Sequence, residues 1–179
     1  MSIAASVGVA VGIMVGLILC VIWFKFANNN KKVKTDYDER QEMIRNRGYK
    51  YAFYTVLFYE ALLMILAIGR IELPMSSYAV HFLGIILGCI VLCEYCVWKD
   101  AYWGLNNNRK RYIIIFAFTA ALNVIPIAGG IAGGTLIEDG KIGMPMLNIM
   151  VLVMLAVVCI TMVIKQIRDK SAVSEEEED

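Results

Sequence analysis

The sequence predicts an all-α polytopic membrane protein: a bundle of five transmembrane helices, N-terminus outside and C-terminus in the cytoplasm. Three observations carry this expectation. The 179 residues are 59% hydrophobic, which leaves too little polar surface to cover a soluble domain of that length. Five apolar stretches are each long enough for a hydrocarbon core of about 30 Å, which takes roughly 20 helical residues. The basic residues are strongly sided. All but Arg70 and Lys141 of the seventeen lysines and arginines fall on one side of the alternating spans, and the positive-inside rule assigns that side to the cytoplasm.

The five stretches lie near residues 3–24, 51–69, 78–98, 112–136 and 146–164. Helix is the expected state, because an unclosed strand would leave backbone donors and acceptors unsatisfied in lipid. Together they make a single bundle over residues 1–170, and the remaining 171–179, SAVSEEEED, lack an apolar face and read as a disordered acidic tail. The first stretch lacks a positive n-region and is followed by its lysines, so it reads as a span and not as a cleaved signal. Trp23, Tyr49, Tyr51, Trp98, Tyr102, Trp103 and Tyr112 gather at the expected cytoplasmic interface, where amphipathic rings sit.

Small residues pattern three of the spans. In the first, Gly8, Gly12 and Gly16 continue a four-residue spacing from Ala4 to Cys20 and make a flat stripe on one helix face. In the fourth, Gly129 and Gly133, and likewise Gly130 and Gly134, keep the spacing beyond Pro126, a residue expected to kink the helix. Gly84 and Gly88 repeat the spacing in the third. Such faces let helices approach closely in lipid, either within one chain or between two copies.

Polar groups inside the spans are the candidates for function. Glu60 is about 13 Å past Tyr51, near the bilayer mid-plane. An intramembrane carboxylate costs about 2.5–3.5 kcal/mol when charged, so it is either a proton or cation site or a glutamic acid hydrogen-bonded to another helix. Asn123, about 16 Å into the fourth span, is the depth-matched partner. Glu94, about 7 Å from the cytoplasmic edge, is expected to snorkel or to pair with Lys99. Cys89, Cys93 and Cys96 share a face of the third span but read as buried thiols, and no metal site or other cofactor is indicated. His81, near the outer surface, reads as a hydrated interfacial histidine. No G-x-S-x-G, H-E-x-x-H or Walker A pattern occurs, so a non-enzymatic role is expected.

The charged segment before the second span reads TDYDERQEMIRNRGYKYAF. Asp36 and Glu39 are spaced as a capping box, and no proline interrupts residues 36–69, so the second helix is expected to begin in the cytoplasm, with Gly48 its weak point. Asp38, Glu39, Arg40 and Gln41 on this segment, with Arg109, Lys110 and Arg111 before the fourth span, make a candidate polar cap on the cytoplasmic face. The run YDERQEMIRNRGYKYAF, together with WKDAYWGLNNNRKR, resembles a group of small uncharacterised integral membrane proteins of low-GC Gram-positive bacteria that carry an Asp-Glu-Arg-Gln segment. The matching positions are Asp38, Glu39, Arg40, Gln41 and residues 49–53. The resemblance implies the bacterial cytoplasmic membrane and brings no catalytic residues. The expected partners are the lipid bilayer and a second copy or another membrane protein. A net charge of +1 gives no reason to expect nucleic acid. The alternative is a small proton- or cation-coupled transporter or channel using Glu60 and the Gly/Pro-rich fourth span.

Overall fold

The computed structural model describes residues 11, 14–16, 18–19, 21–22, 36–105, 109–138, 141–143 and 145–176. The chain divides into two compact units, Met1–Asp36 and Tyr37–Asp179. In the first unit the described residues between 11 and 22 are helical, as expected of the first span. Gly8 and Gly12 lie outside the described residues.

The second unit contains four long helices: α1 (Glu39–Ile68), α2 (Ser77–Trp98), α3 (Arg109–Gly133) and α4 (Pro145–Glu176). All four are long and apolar enough to cross a membrane. Their exposed surface includes Phe58 and Ile68 (each 77%), Ile125 (68%) and Ile114 (67%). Apolar faces of this extent need a non-aqueous environment, and the chain is therefore a membrane protein. The only described strands are Ile137–Glu138 (β1) and Lys141–Ile142 (β2), an antiparallel hairpin pairing Ile137 with Ile142 and Glu138 with Lys141.

Helix α1 begins at Glu39 and runs unbroken into the second span, as its proline-free sequence predicts. The cap, however, is Asp38 and not Asp36. Its Oδ1 accepts from the Gln41 backbone N–H at 2.6 Å, satisfying a donor that the first turn leaves open. Helix α3 continues through Pro126 to Gly133. Helix α4 continues to Glu176, so the segment expected to be a structureless tail begins as an extension of this helix. Residues 177–179 lie outside the described residues.

Helix α1 packs on α2, α2 on α4, and α4 on α3, which makes a row with α1 and α3 at its ends. Glycines let the first pair close. A Cβ on Gly84 would stand 2.6 Å from Tyr59 Cδ1, one on Gly88 would stand 2.6 Å from Val56 Cγ2, and one on Gly48 would meet Leu92 Cδ1 at 3.0 Å. Gly48 is thus not a weak point of α1. It is the one buried residue of that helix, and the place where α2 approaches it. Between α2 and α4 the contact is apolar, with Ala79, Ile86 and Met150 buried among Phe82, Ile90 and Leu147. The fourth-span glycines differ among themselves. Gly129 faces open space and Gly133 touches only Thr135, whereas Gly130 is buried against the Pro145 ring. A Cβ on Gly16 would likewise meet nothing within 4 Å among the described residues.

Candidate functional site

Two polar clusters stand out, one inside the α1–α2 pair and one at the basic end. In the first, Glu60 Oε2 lies 2.9 Å from His81 Nδ1, with side-chain exposures of 38% and 57%. The neighbouring Tyr59 hydroxyl donates to the Val80 carbonyl at 2.9 Å. Gly84 leaves room for the same carboxylate, since a Cβ there would come within 3.3 Å of Glu60 Oε1. The pair opens onto a groove of about 690 Å³ whose wall is mostly apolar and whose mouth carries Glu72 and Lys141, 3.9 Å apart.

Asn123 is not the partner of Glu60. Its Nδ2 donates to the Thr119 carbonyl of its own helix at 2.8 Å, and α3 sits at the opposite end of the row from α1. His81 was legible as the partner by another route. In an antiparallel hairpin, residues equally far from the turn face one another. Glu60 lies roughly 12 Å before the end of α1 and His81 roughly 6 Å after the start of α2. That difference of about one turn is within the reach of the two side chains. Counting depth from Tyr51 separated them, because α1 starts well before that residue.

At the basic end, Gln41 and Arg45 bind the connection between α2 and α3. Gln41 Nε2 donates to the carbonyls of Asp100 and Trp103, each at 3.1 Å. Arg45 donates to the Ala101 carbonyl at 3.4 Å and stands over the Tyr37 ring at 4.2 Å. The same connection is held from the other side by α4, where Lys165 Nζ lies 2.6 Å from Asp100 Oδ1 and 3.3 Å from Asp169 Oδ2. The described contacts differ from those of the expected cap. Asp38 and Gln41 take part, Glu39 and Arg40 are exposed, and the bonds run from Gln41 and Arg45 to backbone carbonyls. Arg109, Lys110 and Arg111 open helix α3, and their side chains lie outside the described residues.

Glu94 neither reaches solvent with both oxygens nor pairs with Lys99. Its Oε1 is enclosed without a hydrogen-bond partner, as is Gln41 Oε1. Sequence spacing missed Gln41 as a tether, although Gln three residues after Asp38 is itself a capping-box signature. Here the glutamine side chain turns away from the cap to the 100–103 backbone. No protein-family model, curated protein or solved structure matches this chain.

Proposed function

We propose that the protein is a five-span, non-enzymatic subunit of a bacterial cytoplasmic membrane, N-terminus out and C-terminus in, that binds a second membrane polypeptide through its open helix faces. One observation carries this reading: the described helices form a row with latched ends and uncovered flanks. Phe58 on α1 and Ile125 on α3 are 77% and 68% exposed, while the polar connections at both ends are tied down. A scaffold of this kind presents fixed apolar faces for lateral association, and close packing of small residues drives such association in lipid. The open Gly16 and Gly129 faces fit the same role, with a second copy or another membrane protein as the occupant.

Orientation is tested by single cysteines placed in the 69–76 and 99–105 connections of intact cells and probed with an impermeant maleimide. Labelling of the first and protection of the second is expected; the reverse pattern would invert the topology. Partner binding is tested by photocrosslinkers at Phe58 and Ile125. Adducts with a polypeptide at one of these faces, and none from Met150 in the α2–α4 core, are expected. Lipid adducts alone at both faces would remove the scaffold reading.

The Glu60–His81 pair favours a second reading, a proton- or cation-coupled transporter. An acid and a base 2.9 Å apart can share a proton between helices. Proteoliposomes carrying the wild-type protein or Glu60→Gln separate the two. Flux abolished only in the variant supports transport, and absence of flux from both eliminates it.

A further inference from the structure

The last turn of α2, the loop after it and the last turns of α4 enclose a cavity of about 380 Å³ at the basic end. It is lined by Trp98, Lys99, Asp100, Lys165, Arg168 and Asp169. The lysine in its floor is already committed. Lys165 is only 13% exposed and is held between Asp100 and Asp169 at 2.6 and 3.3 Å, so the three groups carry a formal charge of −1. Lys99 and Arg168 add two positive charges, and neither has an ion-pair partner among the described residues. The Arg168 guanidinium stands over the Trp98 ring at 5.7 Å. Stacking of this kind holds the guanidinium plane while leaving its N–H donors available at the edge. That is the arrangement a tetrahedral oxyanion needs, because Arg meets phosphate with paired donors and Lys meets it as a point charge.

We propose that this cavity binds the phosphate of an anionic phospholipid headgroup, with Lys99 and Arg168 as the phosphate-binding cations and the Asp100–Lys165–Asp169 cluster as its fixed floor. Two features distinguish a lipid from a free anion. Trp98 ends an apolar span and is 41% exposed, the position at which tryptophan meets the headgroup layer. Ile164 lies one turn before Arg168 on the same face of α4 and is 50% exposed, which offers an acyl chain an apolar track directly below the phosphate. The floor excludes indiscriminate anion binding, since its two carboxylates repel anything that does not engage both cations.

The proposal rests on α2 and α4 crossing the bilayer; the labelling of the 69–76 and 99–105 connections tests this for α2, and a further single cysteine in β2 at Lys141, probed in the same way, tests it for α4. Its own test is native mass spectrometry of the full-length protein in detergent, titrated with phosphatidylglycerol, phosphatidylcholine or inorganic phosphate. One phosphatidylglycerol per chain is expected in preference to phosphatidylcholine. Removing one cation near an anionic headgroup lowers affinity about fivefold, so Lys99→Gln with Arg168→Gln is expected to weaken the first-bound lipid about 25-fold. Arg47→Gln, at the same end but outside the cavity, is expected to stay within twofold of wild type. Arg168→Lys restores the charge and is expected to recover binding to within about threefold, which separates a lost contact from a lost fold. Equal weakening by Arg47→Gln, equal retention of phosphatidylcholine, or saturation by inorganic phosphate as readily as by lipid would each overturn the assignment.

Discussion

At the basic end of the helix row, Gln41, Arg45 and Lys165 reach through side chains to Asp100, Ala101 and Trp103. At the opposite end, the 69–76 connection meets the β1–β2 hairpin mostly through backbone. Met75 bridges Ile142 and the Ile142 N–H donates to the Pro74 carbonyl at 3.3 Å, while the hairpin closes on itself with the Gly143 N–H donating to the Leu136 carbonyl at 2.9 Å. Among the described residues, side chains add one hydrogen bond, from the Ser76 hydroxyl to the Ile142 carbonyl at 2.9 Å, and the Glu72–Lys141 ion pair at 3.9 Å. The difference follows from composition. The basic end is rich in long polar side chains, while the other end has only Arg70 and Lys141 as basic residues and satisfies its backbone largely with itself, as any backbone near the hydrocarbon layer must. One end is therefore sensitive to side-chain identity and the other to the space around its backbone.

The largest effect is expected where backbone has no room to move. A Cβ at Gly143 would stand 2.5 Å from the Thr135 carbonyl oxygen, and a carbonyl in a tight connection cannot swing aside as a side-chain tip can. Gly143→Ala is expected to cost about 2–3 kcal/mol, as overpacking commonly does. Thermal unfolding in detergent reads the loss, and faster hydrogen exchange in the 69–76 connection locates it. A neutral outcome would mean that this end is held by something other than close backbone packing.

Next comes the main tether of the basic end. Gln41→Ala removes the donor to two carbonyls, each of which must then find water. A loss of about 1–3 kcal/mol follows from leaving such groups unsatisfied. The readout is proteolysis within residues 99–105, expected to accelerate while the hairpin end stays protected. Lys165→Met should do less. It keeps the packing of the aliphatic stem but strands Asp100 and Asp169, which are 62% and 61% exposed and can hydrate. About 1 kcal/mol is expected, and the loss should shrink in high salt. A salt-independent loss would indicate that packing of the stem, and not charge, holds α4 to the connection.

The two ends were also unequally legible. Apolar length placed at least one end of each of the four described spans within a few residues, because burial in lipid demands an uninterrupted run and little else, whereas α1 begins and α4 ends twelve residues beyond the apolar run. The basic end announced itself through the positions of its lysines and arginines, and Asp38 and Gln41 were among the residues that sequence singled out. What it could not supply was the direction in which Gln41 turns. That is decided by the open carbonyls of the 100–103 connection, some sixty positions away. The hairpin end carries almost no signal, since backbone pairing between connections leaves no residue-type signature. For the same reason Glu60 was matched to Asn123 by depth, when the turn of the α1–α2 hairpin assigns it to His81. Among glycines, spacing identified Gly84 and Gly88, and in the fourth span it gave Gly129 with Gly133 and Gly130 with Gly134 equally, because the burial of Gly130 depends on where Pro145 returns.

The smallest effects provide the sharpest contrast, at two residues that hold the left-handed conformation. Arg70 (φ 54°) follows α1 and Asp100 (φ 59°) follows α2. Both helices close the same way, with Ile71 N–H donating to the Leu66 carbonyl and Ala101 N–H to the Cys96 carbonyl, the bond that makes glycine the usual residue at such a terminus. A side chain there costs about 1–2 kcal/mol. Arg70 has no ion-pair partner among the described residues, so Arg70→Gly relieves the conformation and loses little. It is expected to stabilise the protein by about 0.5–1 kcal/mol, part of the gain being offset by the freer unfolded chain. Asp100→Gly relieves the same conformation but releases Lys165, so the two terms oppose and the net change should be near zero or unfavourable. The comparison is made by the difference in Tm between the two variants, measured at low and high salt. Salt screens the Asp100–Lys165 pair that wild type keeps, so the gap between the variants should narrow as ionic strength rises. If Asp100→Gly stabilised as much as Arg70→Gly at low salt, the ion pair would contribute nothing, and the basic end would be held by Gln41 and Arg45 alone.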